Sequence, residues 1–132
     1  MRGIGIFFCA WLGFSAAALA DECPDQSQQG LNQCAEAAYK KADEALNAVY
    51  RDITRRLKDD AETTKQLVSA QKAWIAFRDA ECAFATSENA GGSIYPMVYA
   101  GCQTRLTKTR TNDLRLYLKC ADDALGCPVS KP

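Results

Sequence analysis

Seven cysteines and no histidine bound the chemistry open to this chain. Cys9 sits inside an apolar N-terminal run, whereas Cys23, Cys34, Cys82, Cys102, Cys120 and Cys127 are spread along the rest, with no C-x-x-C pair among them. Without histidine, a zinc site or a Cys-His nucleophile has little to be built from, so no metal and no cofactor is expected, and disulfides are the chemistry these thiols predict. General-base catalysis near neutral pH most often uses histidine. Asp79 and Glu81, a candidate carboxylate pair, stand two residues apart and point to different faces of a helix. Ser93 has no neighbouring base to activate it. The residue types therefore predict a protein that is not an enzyme.

Charged residues on apolar stripes are the second chemical feature. Trp74, Arg78 and Cys82 recur every four residues, which puts Arg78 between a large aromatic side chain and an expected bridge and predicts that it is half-buried. Arg110 lies similarly between Leu106 and Leu114, and Asp43 between Tyr39 and Asn47. A guanidinium out of water needs a partner, because an unpaired buried charge costs several kcal/mol. Asp43 is expected to pair with Arg78 or with Arg110, as a structural ion pair that fixes helix register.

The N-terminus says where such bridges form. Met1-Arg2 precedes an apolar run from Ile4 to Leu19, which ends in Ala18-Leu19-Ala20 and then Asp21-Glu22. This is the pattern of a signal peptide with a cut after Ala20, and it is short for a retained membrane span. Residues 1–20 are read as the signal and residues 21–132 as a single exported domain, with no stable membrane insertion once the signal is removed. The expected location is the periplasm or the medium, where six remaining cysteines can form three bridges of about 2–4 kcal/mol each. The whole chain carries 16 basic and 16 acidic residues. That balance argues against a nucleic-acid partner, which calls for a strong basic excess.

Three helices must position these groups. Between Asn32 and Lys58 there is neither Pro nor Gly, and Ala35, Tyr39, Ala42, Leu46, Val49, Ile53 and Leu57 alternate steps of three and four, the stripe of an amphipathic helix capped at Asn32. A turn at Asp59-Asp60 leads to a second helix from Ala61 to Phe84, with Leu67, Ala70, Trp74, Phe77 and Phe84 on its stripe. The connection is short, which predicts that the first two helices pack as an antiparallel hairpin. Gly91, Gly92 and Pro96 break the pattern between Ser87 and Pro96, and a third helix runs from Met97 to Cys120 with Cys102, Leu106, Arg110, Leu114, Tyr117 and Leu118 along one side. The tail from Asp122 to Pro132 reads as polar and irregular. The fold class is all-α: a small antiparallel three-helix bundle stapled by disulfides. Antiparallel packing gathers Cys23, Cys34, Cys82 and Cys102 at one pole. Pairing Cys82 with Cys102, Cys23 with Cys34 and Cys120 with Cys127 is favoured; Cys34 with Cys82 and Cys23 with Cys102 also fits.

Taken in order, Tyr39-x-x-Ala42-Asp43-x-x-Leu46-Asn47-x-x-Tyr50, Ala70-Gln71-x-Ala73-Trp74-x-x-x-Arg78-Asp79-x-x-Cys82, Gly91-Gly92-Ser93, Cys102 and Arg110-x-x-x-Leu114 resemble the LprI-type lysozyme-inhibitor domain over about residues 23–118. The resemblance implies a helical, exported, disulfide-bonded bacterial protein whose partner is a lysozyme-like glycoside hydrolase. An animal-type lysozyme is basic, with a deep carboxylate-containing cleft. The loop Asn89 to Pro96 is the expected contact, through Ser93 and Tyr95 on the Gly91-Gly92 turn with Glu88 beside them. Asp21, Glu22, Asp25, Glu36, Asp79, Glu81 and Glu88 should make that pole acidic, with Arg55, Arg56, Lys58, Arg115 and Lys119 toward the other. A non-catalytic envelope module that binds another protein or a glycan is the alternative.

Overall fold

The computed structural model describes residues 23–120 and 125–129. The signal segment with its cut after Ala20, and Asp21 and Glu22, lie outside the described residues. Three helices follow in order, α1 (Gln28–Arg56), α2 (Ala61–Ala85) and α3 (Tyr95–Leu118), with a short 3-10 turn at Ser87–Asn89. No strand occurs among the described residues.

Helix α1 begins a turn earlier than the Asn32 cap anticipates. The Ser27 hydroxyl accepts from the Gly30 N–H at 3.1 Å, and the Asp25 carboxylate accepts from the Ser27 N–H at 2.8 Å. This double cap folds the chain back so tightly that a Cβ on the buried Gly30 would collide with Asp25. Asn32 thereby lies inside the helix, its amide released for a contact elsewhere. The turn into α2 is closed as the sequence suggests: Asp60 caps it by accepting from the Thr63 N–H at 3.0 Å. Pro96 opens α3 instead of ending the loop, since in the first helical turn its missing N–H has no bond to lose.

The expected α1–α2 hairpin is not the tightest contact in the bundle. Helices α1 and α3 run side by side in the same direction, and α2 returns antiparallel to both, with its backbone standing off from α1. The ends of the close pair are tied by Asn32 donating to the Ser93 carbonyl at 3.0 Å and by Arg56 donating to the Leu118 carbonyl at 3.3 Å. Side-chain size accounts for the asymmetry. Ala42 of α1 and Ala100, Thr107 and Thr111 of α3 are buried and small enough for backbones to approach, whereas α2 turns Trp74 and Arg78 inward. On α2 the inner stripe is Leu67, Gln71, Trp74, Arg78 and Cys82. Phe77 and Phe84, expected to face the core, are 54% and 76% exposed, because a helix apolar on nearly every side does not declare which face is buried.

The apolar core collects at one pole. Leu46, Val49, Ile53 and Leu57 of α1 meet Leu114 of α3, with Tyr50, Leu67, Trp74, Tyr117 and Leu118 packed around them. Val129 completes that cluster at 2% exposure, so the tail is not simply a polar appendage. Bridges link Cys23 to Cys34, Cys82 to Cys102 and Cys120 to Cys127, with Cα separations of 5.8, 5.6 and 5.7 Å. The third holds the tail where Val129 can insert; the first two lie at the opposite pole, where large buried aliphatics are missing among the described residues.

Two substitutions test this packing by urea unfolding with the disulfides intact. Val129→Ala removes two buried methyl-sized groups and leaves a void, so it should lower stability by about 2 kcal/mol; no change would place the tail outside the core. Thr104, Thr109 and Thr111 donate to carbonyls four residues back at 2.8, 3.1 and 2.8 Å, but the fully buried Thr107 hydroxyl has no partner. Thr107→Val should therefore stabilise the protein by about 1 kcal/mol, and a loss of stability would show that the hydroxyl is satisfied.

Candidate functional site

Opposite the aliphatic core, the starts of α1 and α3 and the end of α2 carry a loop and a polar, aromatic layer. The loop follows from its glycines. Gly91 has φ of +78°, a left-handed conformation that a side chain would strain, and a Cβ on Gly92 would press on the Asn89 carbonyl at 3.2 Å. Successive tight turns close it, with the Gly92 N–H donating to the Asn89 carbonyl at 3.0 Å and the Tyr95 N–H to the Gly92 carbonyl at 3.1 Å. Cys82–Cys102 fastens the helices on either side, and the Asn32 amide holds Ser93 from α1. Glu88, Gly91, Gly92 and Ser93 are exposed, and Tyr95 is half-buried where the loop enters α3. Phe84 and Ile94, at 76% and 37% exposure, add apolar surface beside the loop that the sequence reading assigned to the core or passed over.

Beneath the loop lies the guanidinium of Arg78, buried more deeply than its stripe predicts, at 6% exposure. It is sandwiched between the Tyr39 ring of α1 and the Trp74 ring of α2, 5.4 and 5.2 Å from their centroids. Its Nε donates to Asp79 at 2.8 Å, and Nη1 lies 3.8 Å from Asp43. Burial works against the Arg78 charge, but the Asp79 hydrogen bond and the neighbouring negative charge outweigh it and raise its pKa. Of the two candidate arginines, Arg78 is the one beside Asp43. Arg110 instead donates to the buried Gln71 at 3.2 Å and lies 6.0 Å from the Trp74 centroid, so both guanidinia flank one indole. Asp79 also accepts from Gln103 of α3 at 3.1 Å, so its carboxylate joins α2 to α3 while Arg78 reaches Tyr39 and Asp43 of α1.

These pairings thin the acidic pole. Asp79 is engaged by Arg78, and Glu36 pairs with Lys40 at 3.0 Å. Glu88 and Asp25 remain exposed, with Glu81 half-buried. The pole also has a concavity that sequence reasoning missed. Tyr95, Tyr99 and Gln103 recur every four residues on α3 and face Asn32, Glu36 and Tyr39 on α1 across a cleft of about 470 Å³. That repeat was legible, but two tyrosines at helical spacing read equally as core. Among the described residues no three of His, Cys, Asp and Glu converge as a metal site would require, and no helix is long and apolar enough to cross a membrane.

Asp79 makes the layer sensitive to acid. Burial works to raise its pKa, but hydrogen bonds from Arg78 and Gln103 and the Arg78 charge together hold it below the ordinary carboxylate value. A carboxyl with a depressed folded pKa contributes stability above its unfolded pKa of about 3.9, and that contribution is lost as pH falls through the lower folded value. Asp79→Asn should flatten the decline in thermal midpoint below about pH 4 and cost no more than about 1 kcal/mol at neutral pH, since the side chain is 45% exposed. An acid limb identical to that of the parent would assign the pH dependence to other groups.

Comparison with known proteins fits this architecture. The family described as Lysozyme inhibitor LprI matches residues 20–114. An uncharacterized protein of Rhizobium meliloti (strain 1021) is 35% identical over 108 residues, covering 74% of this chain and 78% of its own length. The uncharacterized protein YecT of Escherichia coli (strain K12) is 28% identical over 114 residues, covering 76% and 70%. Among solved structures, a DUF1311 family protein from Pseudomonas putida KT2440 superposes with a TM-score of 0.62 at 25% identity, over 68% of this chain and 92% of that one. With a family match over most of its length and that match reaching from the first bridged cysteine to the Arg110–Leu114 turn, the chain belongs to the LprI lysozyme-inhibitor family.

Proposed function

We propose that the chain is exported by cleavage after Ala20, that residues 21–132 form the working domain in the periplasm or the medium, and that this domain binds and blocks a lysozyme-like muramidase without catalysis of its own. The family supports an inhibitor-like role, and three disulfides suit an oxidising compartment. The observation that carries the reading is the loop: Gly91, Gly92 and Ser93 are exposed at the end of the bundle yet held from both sides by Cys82–Cys102 and the Asn32–Ser93 hydrogen bond. A projection already ordered before contact loses little freedom on binding, so few residues suffice for affinity.

The recognition chemistry follows from what surrounds the loop. Ser93 offers a hydroxyl, Tyr95 an amphipathic ring, and Phe84 and Ile94 apolar area that docking would bury. Glu88 and Asp25 supply negative charge toward a basic enzyme, which speeds encounter more than it tightens the complex and weakens with salt. No cofactor takes part.

The test is lysis of bacterial cell walls by egg-white lysozyme with the purified protein present. Micromolar protein should slow lysis, and a Ser93→Ala, Tyr95→Ala double variant should inhibit about tenfold less well, or ~1.4 kcal/mol, with its helical circular dichroism unchanged. Undiminished lysis at micromolar excess would reject inhibition of this lysozyme class. Equal potency of the variant would move the contact away from the loop.

A further inference from the structure

We infer that the cleft between the first turns of α1 and α3, beside the loop proposed to contact a protein, is a binding site for a neutral pyranose sugar. Its wall on α3 is a pair of stacked rings, Tyr95 and Tyr99, with centroids 5.5 Å apart and planes inclined by 27°. Tyr39 of α1 faces them. A pyranose presents C–H groups on its ring faces and hydroxyls around its rim, so it fits aromatic faces bordered by planar hydrogen-bonding groups. The cleft brings together three phenol rings and the amides of Asn32, Gln33 and Gln103; Tyr95 and Tyr99 each spend one face on their mutual stack and Tyr39 one on Arg78, which leaves one face of each ring for a ligand. The three phenol hydroxyls have no hydrogen-bond partner among the described residues although all three tyrosines are half-buried, and a phenol is a neutral donor at neutral pH. The Gln33 amide is exposed at the rim.

The site is built, not accidental. Tyr39 is fixed from behind by the Arg78 guanidinium at 5.4 Å, and the Gln103 amide is anchored by donating to Asp79 at 3.1 Å, which leaves its carbonyl oxygen to accept from a ligand. The cleft volume of about 470 Å³ lies within the range of small-ligand sites, about 300–1,000 Å³. Charge selects against ionic ligands: the one carboxylate at the wall, Glu36, is already paired with Lys40 at 3.0 Å.

The decisive experiment titrates the purified protein, with no lysozyme present, with chitotriose and separately with cellotriose, following amide and tyrosine ring resonances by NMR. At least one saccharide should shift Tyr39, Tyr95 and Tyr99 signals together at millimolar concentration or below. Tyr99→Ala should weaken that binding about tenfold, whereas Tyr99→Phe, which keeps the ring face, should weaken it less. Gln33→Ala, at the exposed rim, should weaken it without altering the fold. No shift with either saccharide, shifts confined to other surfaces, or equal affinity in Tyr99→Ala would overturn the assignment. Because lysozyme is absent, a negative titration leaves cell-wall protection to be judged separately, and a failed lysis assay leaves the sugar site standing.

Discussion

One buried cation organises this bundle. Arg78 is nearly sealed from water, and such a charge is tolerated only where aromatic faces and carboxylates replace the solvent it loses. Tyr39 and Trp74 close on its two faces, while Asp79 and Asp43 meet its edge. Because these groups come from α1 and α2, and Asp79 is also bonded by Gln103 of α3, satisfying the charge sets the azimuth of every helix at once. The arrangement explains why α2 stands away from α1: it is held there by long polar and aromatic side chains, where α1 and α3 meet through alanine and threonine.

The two poles of the molecule are consequently stabilised by different means. At one, leucine, isoleucine and valine side chains exclude water, reinforced by the tail through Val129. At the other, apolar burial is sparse, and order comes from two disulfides, a double helix cap on α1 and the Arg78 layer. A recognition surface of the kind proposed gains from this division. Aliphatic residues need not be spent under the loop, so tyrosines, amides and glycines can occupy it, while cross-links restrict the unfolded chain without depending on local packing.

Much of this was legible in the residues, and the failures have physical causes. The α1 stripe reads cleanly because its other face is charged; Ala42, Leu46, Val49, Ile53 and Leu57 are all buried as their spacing implies. Chain direction gathered Cys23, Cys34, Cys82 and Cys102 at one pole but left two pairings open, of which the structure forms Cys23–Cys34 and Cys82–Cys102. The α2 stripe failed at Phe77 and Phe84, since hydrophobicity identifies a buried face only by contrast, and this helix has alanines on the outside as well. On α3, apolar spacing overlooked the face against α1, where Thr107 and Thr111 are buried for their small size. Asn32 looked like a cap because it precedes the stripe, yet the Asp25–Ser27 pair upstream satisfies the helix end first. The cleft was missed for a more general reason: it arises from Tyr95 and Tyr99 meeting Tyr39 across two helices, a juxtaposition that no single helix records.

The loop and the cleft share Tyr95 and Pro96, and that has a thermodynamic consequence. Tyr95 closes the loop through its N–H and stacks on Tyr99 with its ring, so one residue serves both surfaces. Asn32 behaves likewise, reaching Ser93 from the rim of the cleft. A ligand that orders either surface orders part of its neighbour, and whatever factor a sugar imposes on the affinity for a protein partner, the partner must impose on the sugar. The sign follows from geometry. On the readings proposed above, a partner large enough to cover Ser93 and Tyr95 would also cover the mouth of the cleft, so steric exclusion would outweigh shared ordering, and sugar and protein would compete for this end of the bundle.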